Sequence, residues 1–423
     1  MLTINEFDKT HYSSSQNIDT HTELIPLLDT IKTAIQERKD EAVIEYTQKF
    51  DSIHSENFSL RVSEEEIQNA YKQVSPEFIE SIQLAIKNVR QFHENQLPID
   101  WEESLEEGYS YGMQYTAIES AGLYVPGGKA LYPSSVIMNA IPAKTAGVKT
   151  CVMTTPPLQD GSIAPEVLVT AKECDIEIII KAGGAQAIFG LAFGTESIPK
   201  VDKIVGPGNK YVDKAKQMVY GVVDIDKPAG PSEVLIYIED STYIPFAAAE
   251  LLAQCEHDPD ASGIILSPQK NILTSINDEI TTQLSSLKRK DIITEALKNS
   301  ALFTVENRKK AIEAIDTIAT EHLVLMIDDA ESVKREIKHA GAIFCGAYTP
   351  VACGDYISGP NHVLPTGRSA RFSSPLSVMD FVKFSSHLTY TKEGLEKIAP
   401  HIERLTQVEK LDAHYNTIQK RLN

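Results

Sequence analysis

The feature that most constrains this chain is an alternation of short apolar runs with stretches long enough for helices. Runs at 148–154, 176–180 and 201–205 are the size of buried strands, and helical stretches over 165–174 and 185–193 separate them. A glycine-rich segment, Gly122-Leu-Tyr-Val-Pro-Gly-Gly128, ends a further strand, and 134–148 then reads as a helix. Beyond Asp226 the alternation resumes, with runs at 234–238, 263–266, 322–327 and 342–344. Strand, helix, strand at this spacing implies right-handed crossovers and a parallel sheet. The expected class is α/β, with two doubly wound, Rossmann-like parallel-sheet domains, one inserted in the other. Small helical elements flank them at the N- and C-termini. The expected divisions are an N-terminal arm (1–20), one α/β domain (21–118 and 230–383), an inserted α/β domain (119–229) and a helical tail (384–423).

A chain of 423 residues fits about two to four domains. With 42% hydrophobic residues it fills real cores, and a net charge of −19 repels nucleic acid and anionic membranes. No apolar run approaches the roughly 18–20 residues of a membrane-spanning helix, and the opening MLTINEFDKTHYSSSQ carries no secretory pattern. The five cysteines, Cys151, Cys174, Cys255, Cys345 and Cys353, have no CxxC spacing and read as free thiols in a reducing compartment, the cytoplasm.

Several stretches could carry chemistry. In 245–259, PFAAAELLAQCEHDP, a helix running to His257 would put Gln254 and His257 on one face, with Glu250 a turn earlier. An imidazole and an amide oxygen side by side make half of a cation site, and a solvated helix end explains them as well. Gly206-Pro-Gly-Asn209 follows a strand and opens a helix, and Asp224 and Asp226 stand about 20 residues on, as in a dinucleotide fingerprint whose third glycine is missing. Lys181-Ala-Gly-Gly-Ala-Gln186 is a second such turn, so 119–229 is a candidate nucleotide-binding unit. Glu321-His322, just before an apolar run, offers two bases of different pKa. In a regular strand their side chains would diverge, so joint action needs a strand end. The loop 354–365 carries Asp355, an oxygen ligand suited to join Gln254 and His257, and His362. Cys255 and Cys353 neighbour these positions and read as packing residues.

In this order the pieces resemble the histidinol dehydrogenase family. The matching blocks are the 122–128 segment, Met138-Asn-Ala-Ile-Pro-Ala-Lys144, Gly206-Pro-Gly-Asn209, Ala229-Gly-Pro-Ser-Glu233, Gln254-Cys-Glu-His257, Glu321-His322, Gly359-Pro-Asn-His362 and Ala370-Arg-Phe-Ser-Ser374. The resemblance implies a zinc- and NAD-dependent oxidation of L-histidinol, through the aldehyde, to L-histidine. By family pattern zinc falls to Gln254, His257, Asp355 and His414, and Glu321 and His322 take the base roles. Ser232, His362 and Glu409 match substrate contacts, and Tyr124, Gln186 and Asn209 match NAD contacts. It also implies a homodimer whose tail brings Glu409 and His414 into the partner's site. The tail departs most from the pattern, with Lys410 and Asp412 where a glycine and an uncharged residue are common. A relative oxidising another small polar alcohol, a zinc hydrolase and a non-catalytic binding protein are the competing readings.

Overall fold

The chain begins with β1 (Ile4–Glu6), followed by the helices Ile25–Arg38, Asp40–Asp51, Glu64–Tyr71 and Pro76–Glu94. A hairpin comes next, β2 (Trp101–Leu105) and β3 (Tyr109–Ala117). The strands β4 (Ser120–Tyr124), β5 (Thr150–Thr155), β6 (Ile178–Lys181), β7 (Lys203–Val205) and β8 (Asp224–Ile225) then alternate with the helices Pro133–Ala146, Pro165–Glu173, Gly184–Phe193 and Lys210–Val219. The second alternation holds β9 (Glu233–Ile238), β10 (Ser262–Ser267), β11 (Ala301–Thr304), β12 (His322–Met326) and β13 (Ala342–Cys345), with the helices Ile244–Cys255, Lys270–Leu284, Arg308–Ile318 and Val351–Tyr356 among the connections. A strand β14 (Val382–Tyr390) and the helices Lys392–Glu409 and Asp412–Leu422 complete the order. This computed structural model describes residues 2–10, 12, 21–53, 58–128, 131–228 and 230–423. Ala229 of the 229–233 block and most of the second half of the expected 1–20 arm lie outside them.

Two parallel sheets organise the molecule. One has the order β6-β5-β4-β7-β8 and the other β1-β11-β10-β9-β12-β13. Both faces of a parallel sheet must be covered, which is why their strands are near-continuous apolar runs. On the five-stranded sheet, Val136 and Met138 from helix 133–146 and Val169 from helix 165–173 cover one face; Ile188 and Leu191 from helix 184–193 and Val212 from helix 210–219 cover the other. The N-terminal helices 25–38 and 76–94 pack outside these layers: Leu28, Ile31 and Ile35 join the Ile188 side, and Ile82, Ile86 and Val89 join the Met138 side.

Each sheet reverses its strand order once. The first does so between β4 and β7, the second between β9 and β12. Such a reversal opens a crevice at the carboxyl ends of the strands, the usual ligand site of open α/β sheets.

The tail differs from the expected all-helical element. Residues 382–390 form a strand that pairs antiparallel along the whole of β3, and with β2 it makes a third sheet of order β14-β3-β2. The partner strand lies more than 260 residues away in sequence, so local helix propensity had no competitor to be weighed against. The two tail helices turn on Lys410, whose φ of 59° is left-handed. That conformation favours glycine at a helix C-terminus, in line with the glycine the resemblance implies there, and makes Lys410 a costlier solution. Phe384, Leu388 and Val408 are mostly exposed on this tail. Among the described residues, no helix is long and apolar enough to cross a membrane.

Candidate active site

The strands β9 and β12 lie side by side with His322 opposite Val234. Their amino ends therefore bring Glu321 and His322 against Ser232 and Glu233. Glu321 sits just ahead of the strand, and both it and His322 are buried. The strand-end position lets the two side chains meet: His322 Nδ1 lies 3.4 Å from Glu321 Oε2. The backbone of Glu233 holds both. Its N–H donates to Glu321 Oε2 at 2.7 Å, and its carbonyl lies 3.1 Å from His322 Nδ1. With Nδ1 donating to that carbonyl, Nε2 is the basic atom of the neutral ring. Nε2 is buried, has no hydrogen-bond partner, and lies 3.5 Å from Asp355 Oδ1.

Asp355 comes from the short helix 351–356. Glu250 links this helix to helix 244–255 by accepting from the Val351 N–H at 3.3 Å. Burial works against the Asp355 charge, but His322, His362 and His257 around it hold the carboxyl below its ordinary range. Burial would also push the His322 imidazole down, yet Glu321 and Asp355 outweigh it and hold the ring up at about 10. Helix 244–255 closes at Cys255, two residues earlier than the sequence reading. Pro259 disfavours helix in the residue before it, so His257 hangs from the terminal turn, its N–H 3.4 Å from the Gln254 carbonyl. Gln254 is buried in the last turn of that helix, and Cys255 packs in the core beneath it.

His362 joins the two sheets. Its Nδ1 donates to the Asp355 carbonyl at 2.9 Å, and its Nε2 lies 3.4 Å from the Ser135 hydroxyl. Ser135 lies in the first turn of helix 133–146, the first helix after β4, so the Asp355 cluster adjoins the crevice of the five-stranded sheet. Burial lowers the His362 imidazole's pKa.

That crevice carries the three residues expected to contact a nucleotide. Tyr124 ends β4, and its hydroxyl accepts the Gly184 N–H at 3.2 Å. Gln186, on the helix that follows Gly184, is buried with its Oε1 unpartnered, and Asn139 Oδ1 nearby on the β4 side is also unpartnered. Asn209 caps helix 210–219, its Oδ1 accepting from the Tyr211 and Val212 N–H groups. Gly206, at φ 113°, passes so close to the Tyr124 carbonyl that a Cβ would stand 2.1 Å from it. The two acids of the apparent fingerprint have other work. Asp226 accepts the Gly206 N–H at 2.9 Å and pairs with the buried Lys216, while Asp224 pairs with Lys203. Burial disfavours the Asp226 charge, but Lys216, Lys227 and these bonds hold it below the usual carboxylate range. Asp226 therefore pins the glycine turn and is not free to take a ribose hydroxyl.

Sequence reading assigned no role to Glu233 or Ser135, because only the pairing of β9 with β12 and the approach of His362 to helix 133–146 make them neighbours of the site. Ser232 is half-buried at the start of β9, where its carbonyl accepts the Ser262 N–H. Glu409 and His414 lie exposed on the tail helices and make no hydrogen bond or ion pair with Gln254, His257 or Asp355 among the described residues. Also among the described residues, no three His, Cys, Asp or Glu side chains of this one chain converge as a metal site. The donors present are nevertheless of the right kind for an N/O-ligated zinc: an imidazole, a carboxylate already gathering three imidazoles, and an amide. The unpartnered His322 Nε2 beside them marks an incompletely satisfied polar centre.

The histidinol dehydrogenase family model matches residues 14–422 of this chain. A histidinol dehydrogenase of Caldanaerobacter subterraneus is 48% identical over 400 residues, covering 94% of this chain and 93% of that protein. The one from Halalkalibacterium halodurans is 42% identical, covering 100% of this chain and 99% of its own length. A crystal structure of histidinol dehydrogenase from Elizabethkingia anophelis superposes with a TM-score of 0.94 at 38% identity, covering 99% of this chain and 97% of that one.

The electrostatics of the Asp355 cluster yield a direct test. In metal-stripped protein, nuclear magnetic resonance of the histidine rings should find His322 titrating far above the ordinary range. Asp355→Asn should lower that midpoint by about one to three units, the effect of removing an opposite charge at this distance. An unmoved midpoint would show that Asp355 does not hold the proton.

Proposed function

The chain belongs to the histidinol dehydrogenase family, and on that premise we propose that it is an oxidoreductase of histidine biosynthesis that carries L-histidinol through the aldehyde to L-histidine, with zinc and NAD as cofactors. The observation that supports this reading most is the contact of Glu321, His322 and Asp355 beside a nucleotide-type crevice, with His362 spanning the two. Gln254, His257 and Asp355 of one chain, with His414 of the partner subunit, would hold the zinc. When bound, zinc would orient and polarise the alcohol and the nicotinamide of NAD would accept hydride.

The chain's own residues do the proton chemistry. His322 takes the hydroxyl proton of the alcohol on Nε2, its Nδ1–H anchored on the Glu233 carbonyl so that the ring cannot turn away. A divalent cation on Asp355 would take over the neutralisation of that carboxylate and release His322 toward the range in which it accepts a proton. Glu321 removes a proton from the water that adds to the aldehyde. Its carboxylate, held on the Glu233 N–H, points toward the same ring. Ser232 and His362 line the substrate side, and burial keeps His362 uncharged, suited to an amino alcohol that is itself cationic. Phe384, Leu388 and Val408 leave exposed apolar surface on the tail, in keeping with a homodimer that shares Glu409 and His414 between sites.

The decisive assay follows NADH absorbance with histidinol and NAD, before chelation, after it and after zinc return. Turnover lost on chelation and restored by zinc is the expected result, and turnover indifferent to metal removes zinc from the reading. Glu321→Gln should cost aldehyde oxidation about 10²–10⁴-fold while sparing the alcohol step. Equal losses in both steps would refute the division of labour. Mixing two inactive variants, His322→Ala and His414→Ala, should recover activity through hybrid dimers, and a mixture as inactive as its parts would place the whole site in one chain.

A further inference from the structure

Resting on the reaction proposed above, we propose that the Glu233 side chain is the outlet for the proton collected by Glu321, passing it from the buried base to solvent at Gly367.

The chemistry demands such an outlet. Alcohol oxidation sends hydride to the nicotinamide and leaves the hydroxyl proton on His322. Addition of water to the aldehyde leaves a proton on Glu321, and the second hydride departs like the first. Glu321 must be emptied before the next turnover, yet it is buried, its side chain 8% exposed. Glu233 links this buried base to an outer loop. Its backbone bonds to both bases, while its carboxylate Oε1 accepts the N–H of Gly367, an exposed loop residue, at 3.0 Å.

The groups facing this carboxylate come from three elements. Glu321 and His322 face it from β12 and its start, Tyr12 from the N-terminal segment, and the Gly367 N–H from the loop after His362. Burial first, then repulsion from the Glu321 charge, raises Glu233 to about 7, with the Gly367 hydrogen bond opposing. A carboxyl poised there accepts and releases a proton at working pH with little driving force lost in either direction. Tyr12 is held up at about 12 by burial and by the Glu233 charge, so it stays a neutral phenol beside the relay. In the transfer itself, the Glu321 carboxyl gives its proton to the Glu233 carboxylate, and the Glu233 carboxyl gives it to water at the surface. No bond to carbon changes and no electron moves. Gln254, His257 and Asp355 take no part in these contacts.

The test is Glu233→Gln in the zinc-loaded dimer, since the amide oxygen keeps the Gly367 hydrogen bond while losing the titration. The expected result is kcat lowered about tenfold or more in dilute buffer, with KM for histidinol and NAD and the zinc content unchanged. A small non-ligating buffer base, raised in concentration at fixed ionic strength, should restore much of the loss in the variant and do nothing to wild type. Separately, infrared spectra without substrate should show a carboxyl band that titrates near pH 7 in wild type and is missing in the variant. Unchanged kcat in the variant, a loss that buffer does not rescue, or the absence of that band in wild type would overturn the relay. Wild-type protein that makes no NADH from histidinol would overturn the proposed reaction itself, a result told apart from the others because it appears before any substitution.

Discussion

The pairing of β9 with β12 is the constraint on which this centre depends. Val234 lies opposite His322 in a parallel register, so the residue before each meets the other's neighbour at the amino end of the sheet. One backbone, that of Glu233, then satisfies a carboxylate through its N–H and an imidazole through its carbonyl. A slip of one residue would send every side chain of β12 to the opposite face. It would part His322 from Asp355 and bury Glu321 without a donor. The apolar runs on both strands forbid that slip, because each face of the sheet is a packed core. Stability of the core and geometry of the bases are thus the same fact seen at two places along one strand.

The two sheets use opposite ends. The five-stranded sheet offers the carboxyl ends of β4 and β7, where the Gly206 turn and the Gly184 turn meet Tyr124. The six-stranded sheet places its reactive residues at the amino ends of β9 and β12. Its own carboxyl-end crevice is occupied by Arg308, which pairs with Glu239 and Asp329 across the switch point. A doubly wound sheet does not by itself say which end carries chemistry. Here the end that does is the one turned toward the other sheet, joined to it by His362 and Ser135.

Three acids show how neighbours decide a carboxylate's fate. Asp226 has two lysines and a backbone N–H, so it stays charged and structural. Asp355 gathers imidazoles, which favours its charge and keeps an N/O donor set together. Glu233 is buried, has another carboxylate for a neighbour, and is pushed the other way. Nothing in the three local sequences distinguishes these outcomes, because each is set by residues from distant segments.

The alternation of apolar runs with amphipathic stretches was enough to specify two parallel sheets, since strand and helix periods are local and parallel strands buried on both faces must be apolar throughout. The glycine turns, the Glu321-His322 pair and the Gln254–His257 spacing stood out as candidates for the same reason: residue type and short spacing carry them. Tertiary structure alone decided which strand lies beside which. That choice made Glu233 a holder of both bases, spent Asp226 on Lys216, set residues 382–390 against β3 as a strand, and brought Ser135 to His362. Each of these is a contact between segments separated by ten to hundreds of residues, and no local propensity encodes the partner of such a contact.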